Sequence, residues 1–256
     1  MKLGEVSHNI FADDLKTGLH SISMETLALE GVHLWRAPLT ADDAMRERFY
    51  AFLTAEEKKR AGRFHFVEDR FRYIVARGCL RYILGMYLNC DPCEVALASN
   101  PWSKPFLVED GGQKSRLRFN LSHSGGMALY GLTLDREIGV DLEEMRPLDD
   151  LESMASMVFT PREIEILDSV STAEKEEIFF RFWTRKEAVI KAVGRGLSIP
   201  LARMDVSDIS HPISGMEAAG VVGSWWIADI DRNSGHAAVC MEGGLPVSWN
   251  IRRVEW

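Results

Sequence analysis

Phe179-Phe-Arg-Phe-Trp-Thr-Arg-Lys-Glu-Ala-Val-Ile-Lys-Ala-Val193 is the stretch from which the fold is read. At about 100° per residue, Phe179, Phe182, Trp183, Val189, Ile190 and Val193 share an arc of roughly 120°, the pattern of a helix packed on a core. Glu187 sits at the margin of that arc, and Lys191 follows one turn later. Lys186 falls inside the arc. An exposed Glu–Lys pair at i,i+4 accounts for Glu187 and Lys191. It leaves Lys186 unexplained, because an ammonium on a packing face needs partners or its pKa moves toward neutrality.

Working upstream, Thr160-Pro-Arg-Glu163 reads as a capping box with Pro at the first helical position. Before it lies Ile138-Gly-Val-Asp-Leu-Glu143, a strand with Ile138, Val140 and Leu142 on one face and Gly139, Asp141 and Glu143 on the other. Two carboxylates at that spacing repel unless a cation or several donors lie between them, which suits Mg²⁺; an acidic strand edge in water is the alternative. Gly139 is expected to let a bulky ligand approach the backbone. Further upstream, Leu117-Arg-Phe-Asn-Leu121 reads as a strand ending in a polar turn, Ser122-His-Ser-Gly-Gly126, whose donors suit a phosphate. A Ser-His nucleophile is disfavoured, since adjacent side chains do not aim at each other and Gly-x-Ser-x-Gly is absent.

The N-terminal part carries a second helical pattern, Thr54 to Leu88, opened by the capping-box-like Thr54-Ala-Glu-Glu57. Between Lys58 and Arg81 it holds eight Lys/Arg against two acids, although the whole chain has a net charge of −8. A basic patch on an acidic protein suggests a small polyanion; a solvated helix face is the other reading. The overall acidity argues against nucleic-acid or membrane-surface binding. No apolar run is long enough to span a bilayer, and the first sixteen residues lack the apolar core of a secretory signal. Four cysteines in 256 residues fit a reducing cytoplasm, and Cys90-Asp-Pro-Cys93 without a βαβ context is a weak redox motif. The C-terminal 55 residues read mostly as strands, with a hairpin of Trp225–Ile230, a turn at Asp231–Gly235, and His236–Cys240. The expected fold is α+β: two pseudo-symmetric halves, 1–136 and 137–256, each a small antiparallel sheet packed against helices, with a seam near Asp135–Glu137.

Three segments now stand in order: Asn120-Leu-Ser-His-Ser124, Ile138-Gly-Val-Asp-Leu-Glu143 and Trp183-Thr-Arg-Lys-Glu-Ala-Val-Ile-Lys191, with 41 residues between Asp141 and Trp183. Together they resemble the 4′-phosphopantetheinyl transferase superfamily, in its long, pseudo-dimeric Sfp-type branch, over about residues 55–200. The resemblance implies transfer of 4′-phosphopantetheine from coenzyme A (CoA) to a serine of an apo-acyl or peptidyl carrier protein, with release of 3′,5′-ADP. It implies Asp141, Glu143 and Glu187 as ligands of Mg²⁺, with Mn²⁺ as an alternative, and Glu187, Lys191 and Asp141 as the catalytic set. Lys191 would contact the CoA diphosphate, Lys186 is the motif lysine, and Ser122 and His123 would meet a CoA phosphate. Lys104, in Ser103-Lys-Pro105, matches a Gly-Lys-Pro loop in which Ser103 replaces the usual glycine. Arg60, Arg63, Arg70 and Arg77 lie where the family gathers cations for the nucleotide end. A cytoplasmic monomer is expected. A CoA or carrier-protein binding module without catalysis would keep the basic patch but would not need three carboxylates.

Overall fold

Two helices of 22 residues each carry the two parts of the molecule. The computed structural model describes residues 5–9, 23–109, 111–214, 216–230 and 235–256. In chain order the elements are β1 (Glu5–Asn9), α1 (Met24–Glu30), β2 (Gly31–Pro38), α2 (Asp43–Phe52), α3 (Ala55–Ala61) and α4 (Val67–Leu88). Next come β3 (Leu97–Ser99), β4 (Pro105–Leu107), β5 (Leu117–Ser124), β6 (Met127–Leu134) and β7 (Ile138–Glu144). The remainder is α5 (Leu151–Val158), α6 (Pro161–Ser169), α7 (Thr172–Val193), β8 (Trp225–Ile230), β9 (Gly235–Glu242) and β10 (Ser248–Glu255).

The expected helix starts are real caps. Thr54 with Glu57 and Thr160 with Glu163 form reciprocal capping boxes, and Pro161 opens α6. Helix α7 stops where Gly194 takes a left-handed φ of +73°. The single helical run expected over Thr54–Leu88 is instead two helices. Helix α3 ends at Ala61, Gly62–Phe66 form a turn, and α4 starts at Val67.

The architecture is mixed α+β, with small sheets packed against helices. One sheet has the order β1-β10-β2-β6-β5, the other β7-β9-β8, and β3-β4 form a short ribbon. Helix α4 covers one face of the larger sheet, burying Val75, Cys79, Leu80 and Ile83 against Trp35, Phe119 and Tyr130. Helix α7 covers the smaller sheet through Ala188, Val189 and Ala192 on Ile227, Ala238 and Cys240. Between the sheets Val32, Leu34 and Leu129 meet Ile138, Val140 and Leu142. The layers therefore run helix, sheet, sheet, helix.

The chain passes from one sheet to the other between β6 and β7, at residues 135–137. It then returns, because β10 inserts between β1 and β2 and runs parallel to both. The larger sheet is thus antiparallel only over β2-β6-β5. The C-terminal hairpin forms as β8 and β9, paired antiparallel; of its expected turn, Asp231–Ser234 lie outside the described residues. Among the described residues no helix is long and apolar enough to cross a membrane.

Candidate active site

Gly139 determines where α7 lies. A Cβ at this position would stand 2.0 Å from the Ala188 carbonyl oxygen and 2.3 Å from the Ala192 nitrogen. Only a bare backbone lets the helix rest directly on β7. The gap that was expected to admit a ligand admits the helix instead, and this brings Glu187 and Lys191 beside Asp141.

Asp141 is buried, with 2 % of its surface exposed. Its Oδ1 accepts from Ser122 Oγ at 3.0 Å and from Lys191 Nζ at 2.5 Å, while Oδ2 is buried without a partner. Glu143 accepts from Ser124 Oγ at 3.2 Å and from the Trp183 side chain. Burial, and then the Asp141 charge, push the Glu143 carboxyl above its ordinary range. Glu187 is pushed up to about 6 by burial and by Asp141 and Glu143, with Lys191 opposing them. The Asp141 charge raises both Glu143 and Glu187, and one Asp141 oxygen is orphaned, a donor set that a hard divalent cation would relieve. They fit Mg²⁺. Among the described residues no three His, Cys, Asp or Glu side chains are drawn close enough to hold an ion as they stand. The Lys191 ammonium holds the corner beside Asp141.

Strand β5 separates two environments. The expected polar turn is in fact strand as far as Ser124, and only Gly125 and Gly126 make the hairpin turn. Alternation then sends Asn120, Ser122 and Ser124 toward β7: Asn120 Oδ1 accepts from the Val140 N–H at 2.9 Å, and Ser124 Oγ accepts from the Glu144 N–H at 3.1 Å. Leu121 and His123 line a cleft of about 1540 Å³. Its other walls include Arg60, Arg63, Tyr73, Arg77, Ser103 and Pro105. Desolvation beside the cleft wall and the Lys191 charge lower the His123 pKa, although its side chain stays exposed to solvent. The acid cluster and the basic cleft are one residue apart along β5.

Comparison with known proteins bears on this arrangement. A family model described as the 4′-phosphopantetheinyl transferase superfamily matches residues 137–240, and one described as 4′-phosphopantetheinyl transferase, N-terminal, matches residues 41–131. The chain is 46 % identical over 173 residues to the 4′-phosphopantetheinyl transferase HetI of Nostoc sp., covering 68 % of this chain and 73 % of HetI. The chain belongs to the 4′-phosphopantetheinyl transferase superfamily. It is also 34 % identical over 165 residues to a putative 4′-phosphopantetheinyl transferase of Synechocystis sp., covering 64 % of this chain and 65 % of the relative. To the 4′-phosphopantetheinyl transferase Sfp of Bacillus subtilis it is 27 % identical over 180 residues, covering 70 % and 76 %. Membership makes it an enzyme of the phosphopantetheinyl transferase type and sets aside the non-catalytic module.

Two lysines carried over from the superfamily pattern are occupied elsewhere. Lys186 is fully buried, 2.7 Å from Glu163 Oε2, and also donates to the Leu201 and Met204 carbonyls. All three of its donors are used in the core behind α7, so it offers none to CoA. Glu163 in turn accepts from the Thr160 N–H at 2.8 Å and the Val206 N–H at 2.9 Å. Lys104 Nζ donates to Glu137 Oε2 at 2.8 Å, the Ile138 carbonyl at 3.2 Å and the Ala192 carbonyl at 2.6 Å. It therefore caps the C-terminus of α7, helped by Asn100 Nδ2 on the Gly194 carbonyl at 2.7 Å. Ser103, in the place of the superfamily's glycine, takes a left-handed φ of +68°, the conformation for which glycine is suited.

The expected arginines divide as well. Arg60 lies over the Tyr73 ring at 5.5 Å, and Arg63 lines the cleft beside it. Arg77 also lines the cleft but pairs with Glu57, while Arg70 is not among the lining residues. Glu57 is held below its ordinary range by Arg81 and Arg77 against the cost of burial. Sequence reasoning missed Ser124 and the Trp183 side chain as partners of Glu143. Polar residues at every second position, 120, 122 and 124, were the signal for Ser124. Cys90 and Cys93 are free; burial raises the first thiol pKa and the Asp91 hydrogen bond the second, which disfavours thiolate chemistry.

Proposed function

We propose that the chain transfers the 4′-phosphopantetheine arm of CoA to a serine hydroxyl of an apo-acyl or peptidyl carrier protein, with Mg²⁺, releasing 3′,5′-ADP. The observation that carries this reading is the adjacency of two sites across β5. On one side is a basic cleft wide enough for a nucleotide carrying a 3′-phosphate. On the other is a carboxylate cluster with an unpartnered oxygen.

The adenosine end lies in the cleft, where Arg60, Arg63 and Arg77 face the 3′-phosphate and His123 meets a phosphate oxygen. Asp141, Glu143 and Glu187 would hold the Mg²⁺, which when bound would neutralise charge on the diphosphate. Lys191 stabilises the charge that develops on the leaving phosphate. Glu187, which α7 places beside Asp141, accepts the proton of the serine hydroxyl. The serine oxygen forms a bond to the phosphorus bearing pantetheine as the bond from that phosphorus to 3′,5′-ADP breaks. Lys186 and Lys104 take no part beyond holding α7 in place.

An acidic enzyme meeting an acidic carrier docks it through a local basic or apolar surface rather than through net charge. The four free cysteines suit a reducing cytoplasm, where the chain works as a monomer. Intact-mass measurement of purified apo-carrier proteins, incubated with the chain, CoA and Mg²⁺, tests the reaction. The carrier gains the mass of one phosphopantetheinyl group, and excess chelator prevents the gain. An unchanged carrier mass across acyl and peptidyl carriers refutes the proposal.

A further inference from the structure

Asp141 already has a cation. Lys191 reaches down from α7 to donate to Asp141 Oδ1 at 2.5 Å and to Ser122 Oγ at 2.8 Å, and Ser122 Oγ donates to the same carboxylate oxygen. The two members of this pair differ in freedom. The Asp141 side chain is 3 % exposed and fixed within β7, whereas that of Lys191 is 29 % exposed on a flexible four-carbon stem. The carboxylate cannot leave, but the ammonium can. The second oxygen, Oδ2, is buried without a partner, so the pair satisfies only half of Asp141.

We infer that Lys191 is a stand-in cation: it occupies Asp141 in the unliganded chain and gives way to the divalent ion when the CoA diphosphate draws its ammonium off. This inference rests on the reading that CoA and a divalent ion meet at this cluster. Two cations beside one carboxylate oxygen repel each other, so the ion enters poorly while Lys191 stays. A diphosphate gives the partly exposed ammonium an alternative partner. CoA and the ion therefore bind cooperatively, and by linkage each strengthens the other by the same factor. The lysine also spares the empty site an uncompensated buried carboxylate.

The test is Mn²⁺ titration of the purified full chain, without carrier protein, with free Mn²⁺ read by electron paramagnetic resonance. Wild type and Lys191→Met are compared with and without CoA, with correction for the Mn²⁺–CoA complex measured separately. Without CoA, Lys191→Met binds Mn²⁺ at least about tenfold more tightly than wild type, since the competing charge is gone. Saturating CoA then tightens Mn²⁺ binding more in wild type than in the variant. Lys191→Gln, which keeps hydrogen-bonding capacity without the charge, behaves like Lys191→Met and guards against a folding artefact. Equal or weaker Mn²⁺ binding by both variants without CoA overturns the exchange while leaving the functional reading intact. Absence of Mn²⁺ binding to wild type even with CoA overturns both.

Discussion

Ser122 Oγ donates to Asp141 Oδ1 across 3.0 Å and so ties the edge of one sheet to the edge of the other. Asn120 with Val140, and Ser124 with Glu143 and Glu144, repeat the tie on either side of it. The seam between the sheets is therefore stitched by side chains, and the site's acids are among the stitches. What orients Asp141 for a cation is also what holds the two parts of the molecule together.

Ser122→Ala removes a donor to Asp141 and an acceptor for Lys191. Hydrogen bonds to charged groups contribute about 1.5–3 kcal/mol, so turnover falls about tenfold or more. Steady-state assay of carrier modification at saturating CoA checks this, and unchanged turnover would show the tie to be irrelevant to the reaction.

In the metal-free protein Glu187 has a folded pKa of about 6, above its ordinary 4.5. Its protonated form is favoured by folding, so it stabilises the fold below pH 4.5 and that contribution is lost as pH rises through 6. Glu187→Gln removes the penalty of the charged form. In chelator the variant is more stable than wild type by about 1–2 kcal/mol at pH 8, and the gap closes toward pH 4. Urea unfolding across that range measures it, while the same substitution abolishes carrier modification.

Lys186→Met leaves Glu163 buried without its cation, a loss of about 3–5 kcal/mol. Adding Glu163→Gln removes the stranded charge and recovers much of that stability. Calorimetric titration of CoA into the double variant finds the affinity of the parent. A selective loss of CoA binding would restore Lys186 to the ligand site.

Gly139→Ala forces a methyl group against backbone atoms of α7 that cannot rotate away. Overpacking of this kind costs about 3 kcal/mol or more. Thermal melting records the loss, and carrier modification falls with it because α7 no longer brings Glu187 to Asp141.

The elements that advertise themselves locally were legible in the chain. Capping boxes at Thr54 and Thr160 act over three residues, and the face division of Ile138–Glu143 follows from strand alternation alone, so each was readable in isolation. The gathering of Asp141, Glu187 and Lys191 was readable only through resemblance, since it depends on α7 lying on Gly139. Lys186 shows the limit. Its place inside an apolar arc marked it as unusual, but a buried partner 23 residues upstream carries no local signal. The contacts of Lys104 carry no local signal for the same reason, as its acceptors lie on β7 and at the end of α7. Helices α1, α2 and α5 went unread, being 7, 10 and 8 residues long with one buried residue each.

Strand β10 lies between β1 and β2, parallel to both. Ribosomal synthesis delivers β2 more than two hundred residues before its neighbour. Until residues 248–255 emerge, the larger sheet lacks its link to β1 and β2 presents an open edge. A nascent chain is thus exposed to mispairing while the residues between β2 and β10 are made, and the native sheet closes only when that late strand arrives.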